Sequence, residues 1–234
     1  MKNISQGFAI AIDGPGGVGK STTARLVAEL LGITYIDTGA MYRAVAFYSI
    51  QNGIDVSNPD KLETSLQNIS IELRYANRNQ RVHLNGQDIS DFIRTQEISG
   101  LTPIVAANEA VREKLVTLQQ EMAKQGAVVM DGRDIGSQVL PWAQVKIYLD
   151  APPEIRARRR MLDLESKGQA VDFEQILQEI ILRDYRDKTR TISPLVQTAD
   201  AVYIDTAHMN PQEVADKIAS YAKELLPCST NSSE

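Results

Sequence analysis

Gly14-Pro15-Gly16-Gly17-Val18-Gly19-Lys20-Ser21 fits the pattern G-x-x-x-x-G-K-[ST], and its flanks decide how it is read. Before it, the apolar run Phe8–Ile12 reads as a buried strand. After it, apolar residues at 24, 27, 30 and 31 recur at helical spacing until Gly32 stops the helix. Strand, glycine loop, helix is the context in which the pattern binds phosphate. Glycines let successive backbone N–H groups surround an anion, and the helix N-terminus adds partial positive charge. Lys20 can reach β- and γ-phosphates, and the Ser21 hydroxyl suits Mg²⁺. Residues Gly14 to Ser21, with Thr22 behind them, are therefore the expected ATP-binding set. No N-K-x-D base-reading motif follows, which argues against a GTP-driven switch.

Outward from the loop, strand and helix alternate. Thr34–Asp37 reads as a second strand and Met41–Gln51 as a helix. The period then changes to two: Ile69, Ile71, Leu73 and Tyr75 alternate with polar residues, as do Val82 and Leu84, with Asn77–Gln80 linking them and Asn85-Gly86 as a turn. This is a small antiparallel insert. Helical signals resume after Pro103, with Val111, Leu115, Leu118 and Met122 as a buried stripe. Ala127–Met130, Val145–Leu149 and Ala201–Ile204 read as strands. Pro153–Lys167, Phe173–Arg190 and Pro211–Leu226 read as helices, and 227–234 as a frayed tail. The alternation implies a mostly parallel sheet covered by helices on both faces.

Composition narrows the class. The 234 residues are 43 % hydrophobic and 24 % charged, with a net charge of −5. That is a globular composition, not a disordered or fibrous one. The single cysteine, Cys228, makes no internal disulfide and reads as a thiol in a reducing cytoplasm. No stretch has the ~18 apolar residues a membrane span needs, and Phe8–Ile12 is too short for a signal-peptide core. Eight of the fifteen arginines nevertheless fall between Arg133 and Arg190. A local arginine cluster in an acidic chain suits a small anionic ligand better than nucleic acid.

A second set of anion-binding residues follows the strand ends. Arg43 sits in Asp37-Thr38-Gly39-Ala40-Met41-Tyr42-Arg43, at the sheet edge where ligands bind. Asp131-Gly132-Arg133-Asp134 follows another strand, and Asp131 stands where a carboxylate meets Mg²⁺ directly or through water. Arg183, Asp187 and Arg190 share one helix face, whereas Asp184 and Lys188 read as a surface i,i+4 pair. Arg156, Arg159 and Arg160 share a face of another helix and are candidates for a mobile cap over the transferring phosphoryl; Arg158 reads as a partner of Glu154.

With these segments in hand, the chain resembles the cytidylate kinase family of nucleoside monophosphate kinases. The resemblance rests on Ile12 to Ser21, Asp37 to Arg43, Ile93-Arg94-Thr95-Gln96-Glu97, Val111-Arg112-Glu113 and Asp131 to Asp134. It continues through Lys146 to Asp150, Arg159-Arg160-Met161, and Arg183 through Arg190 with Pro194-Leu195. It implies an α/β P-loop three-layer fold with a five-stranded parallel sheet, in one domain over 1–226. The period-two insert would lie in an NMP-binding region over 40–104, and a short helical lid over 152–170. It implies that Arg43, Arg133 and Arg190 hold the CMP phosphate, that Arg112 and Asp134 read cytosine, and that Arg183 and Asp187 contact the sugar. Thr38 would lie near the acceptor. Lys20, Arg133 and a lid arginine (156, 159 or 160) would be catalytic, with Ser21 and Asp131 serving Mg²⁺. Pro103 stands where the family often has a base-reading serine, beside Thr102. The implied enzyme is a cytoplasmic monomer in pyrimidine metabolism that moves phosphoryl from ATP to CMP or dCMP, with no nucleic-acid or membrane partner. A kinase for another nucleoside monophosphate and a nucleotide-dependent regulatory P-loop protein are the alternatives.

Overall fold

The computed structural model describes residues 7–76 and 79–225; the expected tail 227–234, Cys228, Leu226 and the linking residues 77–78 lie outside them. The main sheet holds β1 (Ala9–Asp13), β2 (Thr34–Asp37), β6 (Val128–Gly132), β7 (Val145–Asp150) and β8 (Val202–Asp205), all parallel, in the order β2-β6-β1-β7-β8. Strand β1 is fully buried and pairs with β6 on one side and β7 on the other. A strand covered on both faces must be apolar throughout, which is why Ala9–Ile12 carries no alternation. The order changes direction at β1, so a crevice opens beyond its carboxyl end. Asp13, Gly132 and Tyr148 lie side by side in register there.

Contact clustering divides the chain into two compact units. The first comprises residues up to Tyr35 and from Met122 onward. One face of its sheet is covered by α1 (Lys20–Leu31) and α8 (Pro211–Leu225). Ala24 and Val27 of α1 and Val214, Ala215, Ile218 and Ala222 of α8 pack on Ile10, Ile12, Ile147 and Leu149. Their spacing gives each helix one apolar stripe, and each buried Val, Ile or Leu in it contributes roughly 1.5–3 kcal/mol. Helices α6 (Pro153–Glu165) and α7 (Phe173–Thr189) pack on each other in the same unit.

The second unit is Ile36–Glu121. It holds α2 (Thr38–Gln51), α3 (Pro59–Ser65), the antiparallel strands β3 (Ile71–Ala76), β4 (Asn79–Leu84) and β5 (Gln87–Asp88), α4 (Gln96–Ala107) and most of α5 (Glu109–Lys124). The period-two reading marks β3 and β4, which pair antiparallel from Ile71↔Leu84 to Ala76↔Asn79. Two helices differ from expectation. Helix α3 is short and depends on local chemistry: Asn58 accepts from Lys61 N–H as its cap, and Pro59 opens it. Helix α4 runs through Pro103 rather than beginning after it. The helix is set by its Thr95 cap and by burial of Ile98 and Val105. Tertiary packing outweighs the one hydrogen bond that proline removes.

Candidate active site

The phosphate loop takes its shape from backbone that other residues could not adopt. Gly14 has φ 149°, and a Cβ there would run into the Leu149 carbonyl oxygen of β7. Gly19, in the left-handed region at φ 97°, is the N-cap of α1. It has no side chain to accept from the first-turn N–H groups, and that turn holds no acidic residue. Those donors and the helix dipole are left for an anion. Lys20 is buried and donates from Nζ to the Pro15 carbonyl at 2.6 Å. Burial and the nearby Arg133 and Arg183 hold its pKa well below the usual lysine value, against Asp131 and Asp187, which raise it. A polyphosphate would restore the lost counter-charge.

Behind the loop, Ser21 Oγ donates to Asp131 Oδ2 and Tyr35 Oη to Asp131 Oδ1, both at 2.8 Å. Hydroxyl and buried carboxylate are the hard oxygen donors that Mg²⁺ takes. Among the described residues no cluster of three or more His, Cys, Asp or Glu could hold a metal by itself.

The residues after β6 and at the end of α7 come together in the same unit. Arg133 donates from Nε to Asp187 Oδ2 at 2.8 Å and from Nη1 to its neighbour's carbonyl, Gly132 O, at 3.3 Å. A methyl on Gly16 would lie 3.6 Å from Arg133 Nη2 and 3.5 Å from Arg183 Cδ, so both arginines border the phosphate loop. Burial pushes Asp187 up, but Arg133, Arg183 and Arg190 outweigh it and hold the carboxyl below its usual range. Arg190 forms an ion pair with Asp134 at 3.8 Å and donates from Nε to Ser193 O at 2.6 Å. Asp134 is buried.

The α6 arginines diverge from expectation. Arg156 is only 2 % exposed. It donates from Nε to Ala151 O at 2.8 Å, from Nη1 to Gly16 O at 3.1 Å, and in a fork to Asp184 at 3.1 and 2.6 Å. It is fixed in the interior rather than carried on a mobile cap. Asp184 is its buried partner, not the surface partner of Lys188. Arg159 is tied to Thr206 Oγ1 and to the Thr206 and Ala207 carbonyls. Arg160 makes an exposed pair with Asp163 at 3.1 Å. Arg158 lies 5.6 Å from the centre of the Phe173 ring instead of pairing with Glu154. The cation–π contact holds it to the start of α7.

Asp13 went unnoticed in the sequence, although a carboxylate closing an apolar strand is the available signal. Its two oxygens accept from Ile135 N–H at 2.8 Å and Gly136 N–H at 2.7 Å. They fasten the wide helical turn Ile135–Val139 that follows Arg133 and Asp134. Burial pushes Asp13 up to about 7, helped by Asp134 and opposed by the Gly136 and Ile135 amides and Lys20.

In the second unit, the D-T-G-A-M-Y-R run is a self-contained device. Asp37 caps α2, with Oδ1 accepting from Ala40 N–H at 2.9 Å, while Oδ2 holds Arg43 Nη2 at 2.8 Å. A Cβ on Gly39 would lie 3.1 Å from Arg43 Nη1 and 3.3 Å from Asp37 Oδ1, so only glycine leaves that pair undisturbed. Thr38, the first residue of α2, is buried. Arg112 is buried with its guanidinium 5.6 Å from the Tyr42 ring centre and Nη1 donating to Ala106 O at 3.2 Å. Thr102 donates its hydroxyl back to Ile98 O at 2.7 Å, inside α4. Its proton is therefore engaged by its own helix.

A parallel sheet switching direction at a glycine loop, with Lys20 and arginines bordering that loop, defines a P-loop kinase. Solved structures of low identity share the fold. A gluconokinase from Sinorhizobium meliloti 1021 superposes with a TM-score of 0.50 at 13 % identity, over 94 % of both chains. An uncharacterized protein from Eubacterium ventriosum ATCC 27560 superposes with a TM-score of 0.51 at 13 % identity, over 94 % of this chain and 99 % of that one. Sequence relatives identify the branch. The family described as Cytidylate kinase matches residues 10–224. The cytidylate kinase of Bacillus subtilis (strain 168) is 48 % identical over 211 residues, covering 90 % of this chain and 94 % of that one. That of Bacillus pumilus (strain SAFR-032) is 47 % identical over 218 residues, covering 93 % and 97 %. The chain belongs to the cytidylate kinase family.

Proposed function

We propose that this enzyme moves the γ-phosphoryl of ATP to the phosphate of CMP or dCMP, giving CDP or dCDP and ADP. The observation that carries this reading is that Arg133 and Arg183 border Gly16 of the phosphate loop and act electrostatically on Lys20, in a chain of this family. In the transfer, an oxygen of the acceptor phosphate forms a bond to γ-phosphorus as the bond to the β–γ bridging oxygen breaks. The attacking oxygen is already anionic near neutral pH, so no catalytic base is required. The protein's task is to position two anionic nucleotides and offset the charge between them.

The residues divide that task. Residues 14–22 bind ATP, with Lys20 reaching its phosphates. Ser21 and Asp131 would hold Mg²⁺, which when bound offsets phosphate charge. Arg133 reaches the transferring phosphoryl. In the first unit, Arg133 and Arg190 bind the acceptor phosphate, Asp134 reads the base, and Arg183 and Asp187 take the sugar. For the second unit, the family resemblance gives Arg43 a phosphate role, Arg112 a base role and Thr38 a role toward the acceptor. Of the α6 arginines, Arg160 has only an exposed ion pair to give up, worth about 0–1 kcal/mol, and is the one with freedom to reach the phosphoryl. The working enzyme is a cytoplasmic monomer. Among the described residues, no helix is long and apolar enough to cross a membrane.

The test is an ADP-release assay with ATP and Mg²⁺ against CMP, dCMP, UMP, AMP and GMP. Turnover chiefly with CMP and dCMP is expected. Turnover with UMP or AMP instead would retain the kinase and overturn the base-reading roles of Arg112 and Asp134. ATP hydrolysis independent of any acceptor would overturn the kinase reading.

A further inference from the structure

Arg156 joins three segments far apart in the chain. Its guanidinium holds the Gly16 carbonyl of the phosphate loop, the Ala151 carbonyl at the end of β7, and both oxygens of Asp184 on α7. The pair is buried, with side chains 2 % and 13 % exposed. A trans peptide points its N–H opposite to its C=O. Tying Gly16 O to Arg156 on one side therefore turns the Gly17 N–H to the other. A second strap lies alongside. Thr206 shares its hydroxyl proton between Val18 O and Asp150 O at 3.3 and 3.2 Å, and accepts from Arg159 at 3.2 Å. Two carbonyls of the loop are thus held from behind by groups that α6 places.

Asp184 is the other half of the argument. It lies on α7 between Arg183 and Asp187, and Asp187 clamps Arg133 at 2.8 Å. One helix therefore fastens the phosphate loop through Arg156 and the acceptor-side arginine through Asp187. A buried bidentate pair has one good geometry and resists gradual deformation. Any displacement of the loop at Gly16 would therefore act on α7 through this pair.

We propose that Arg156 and Asp184 are positioning residues that couple the two nucleotide sites, so that a nucleotide on the phosphate loop raises affinity for the acceptor. The proposal rests on the kinase reading above. It assigns Arg156 no contact with the reacting atoms.

The experiment measures CMP binding by calorimetry on the full chain, with and without a non-hydrolysable ATP analogue and Mg²⁺. The wild type, Arg156→Lys and the double variant Arg156→Met/Asp184→Leu are compared. The double variant replaces the pair with apolar groups of similar size, an exchange that buried ion pairs often tolerate without loss of stability. In the wild type the analogue should tighten CMP binding about five-fold or more. In the double variant that factor should fall to within two-fold of unity, while CMP binding in the absence of analogue changes little. Arg156→Lys should fall between, because one ammonium cannot hold both Gly16 O and the carboxylate fork. Steady-state kinetics should show the KM for CMP losing its dependence on ATP concentration.

Equal coupling in wild type and double variant, with only a lower melting temperature, overturns the proposal and leaves the pair a structural strut. Absence of coupling in a wild type that does turn over CMP overturns it as well. A wild type that does not turn over CMP overturns both this proposal and the reading on which it rests.

Discussion

Replacing Arg133 by lysine keeps the charge and removes the geometry, which isolates what the guanidinium does. Its Nε is held by Asp187 at 2.8 Å and its Nη1 by Gly132 O at 3.3 Å. Nη2 is the nitrogen nearest Gly16 of the phosphate loop. A lysine has one nitrogen and must choose between Asp187 and the phosphoryl. Choosing the phosphoryl leaves Asp187, whose side chain is 9 % exposed, without its nearest cation. Choosing Asp187 leaves the transition state without its donor. Each hydrogen bond to a charged group is worth about 1.5–3 kcal/mol, and the site is buried enough that solvent does not remove most of this. Whichever partner lysine keeps, one such bond is lost, at about 1.5–3 kcal/mol. At 1.36 kcal/mol per decade, that is roughly a 10- to 100-fold fall in kcat/KM. The coupled ADP-release assay with saturating ATP and varied CMP measures it. Asp187→Asn, which keeps the guanidinium and loosens its clamp, should lose roughly ten-fold, mostly in the KM for CMP. A fall of less than about five-fold in Arg133→Lys, with unchanged KM, would refute the assignment of Nη2 to the transferring phosphoryl.

Three further outcomes follow from the same contacts. Gly14→Ala forces a methyl against the Leu149 carbonyl at φ 149°; overpacking of about 2–3 kcal/mol should lower the melting temperature by roughly 5–10 °C and abolish ATP binding, and a variant that melts normally would refute the steric argument. Asp13 keeps its proton up to about 7 in the fold but only to about 3.9 when unfolded. The folded state therefore binds more protons between those values, and its stability relative to Asp13→Asn should fall as pH rises from about 4 to 7 and then level off; parallel urea-unfolding curves for the two proteins across that window would contradict it. Lys20, with its pKa held down by burial and by Arg133 and Arg183, should have that pKa raised when a polyphosphate binds. Calorimetry of ATP binding in buffers of different ionisation enthalpy, over a pH series, should show a proton uptake that the Lys20→Met variant lacks.

What the sequence disclosed is what physics writes locally. The glycine loop between Ile12 and Lys20 specifies its own turn and the helix after it, so position and chemistry were both legible. The Asp37–Arg43 run is likewise closed on itself, since cap, close-approach glycine and ion pair lie within seven residues. Period-two alternation marked β3 and β4 because one face of that small sheet is buried. Asp184 was misread because helix spacing reports which residues share a face, not whether that face meets water. Its i,i+4 relation to Lys188 was real spacing on a face that α6 covers with Arg156. Pro103 misled for the converse reason: a proline is a strong local stop, and α4 overrides it with cap and burial that only the fold supplies. Asp13 needed a partner more than a hundred residues away, the Ile135 and Gly136 amides, before its role could be seen.

Partners of this kind also stand beside the arginines proposed to bind phosphate. Arg133 has Asp187 and Arg190 has Asp134 from distant segments, and Arg43 has Asp37 from its own. A guanidinium on a free stem carries about 2 kcal/mol of rotamer entropy, which it would lose on binding phosphate. A carboxylate that grips one edge of the fork removes that freedom in advance and leaves the other edge for a ligand. It also supplies the counter-charge that the clustered cations lack until a nucleotide binds. Asp187 illustrates the balance: burial pushes its pKa up, and Arg133, Arg183 and Arg190 more than offset that. On the proposed function these carboxylates therefore aid phosphate binding although they repel phosphate. Removing one should raise KM by loosening an arginine before it raises affinity by removing a negative charge. For Asp187 the 2.8 Å bond to Arg133 Nε decides that order, because the loosened guanidinium loses its direction beside Gly16 of the phosphate loop.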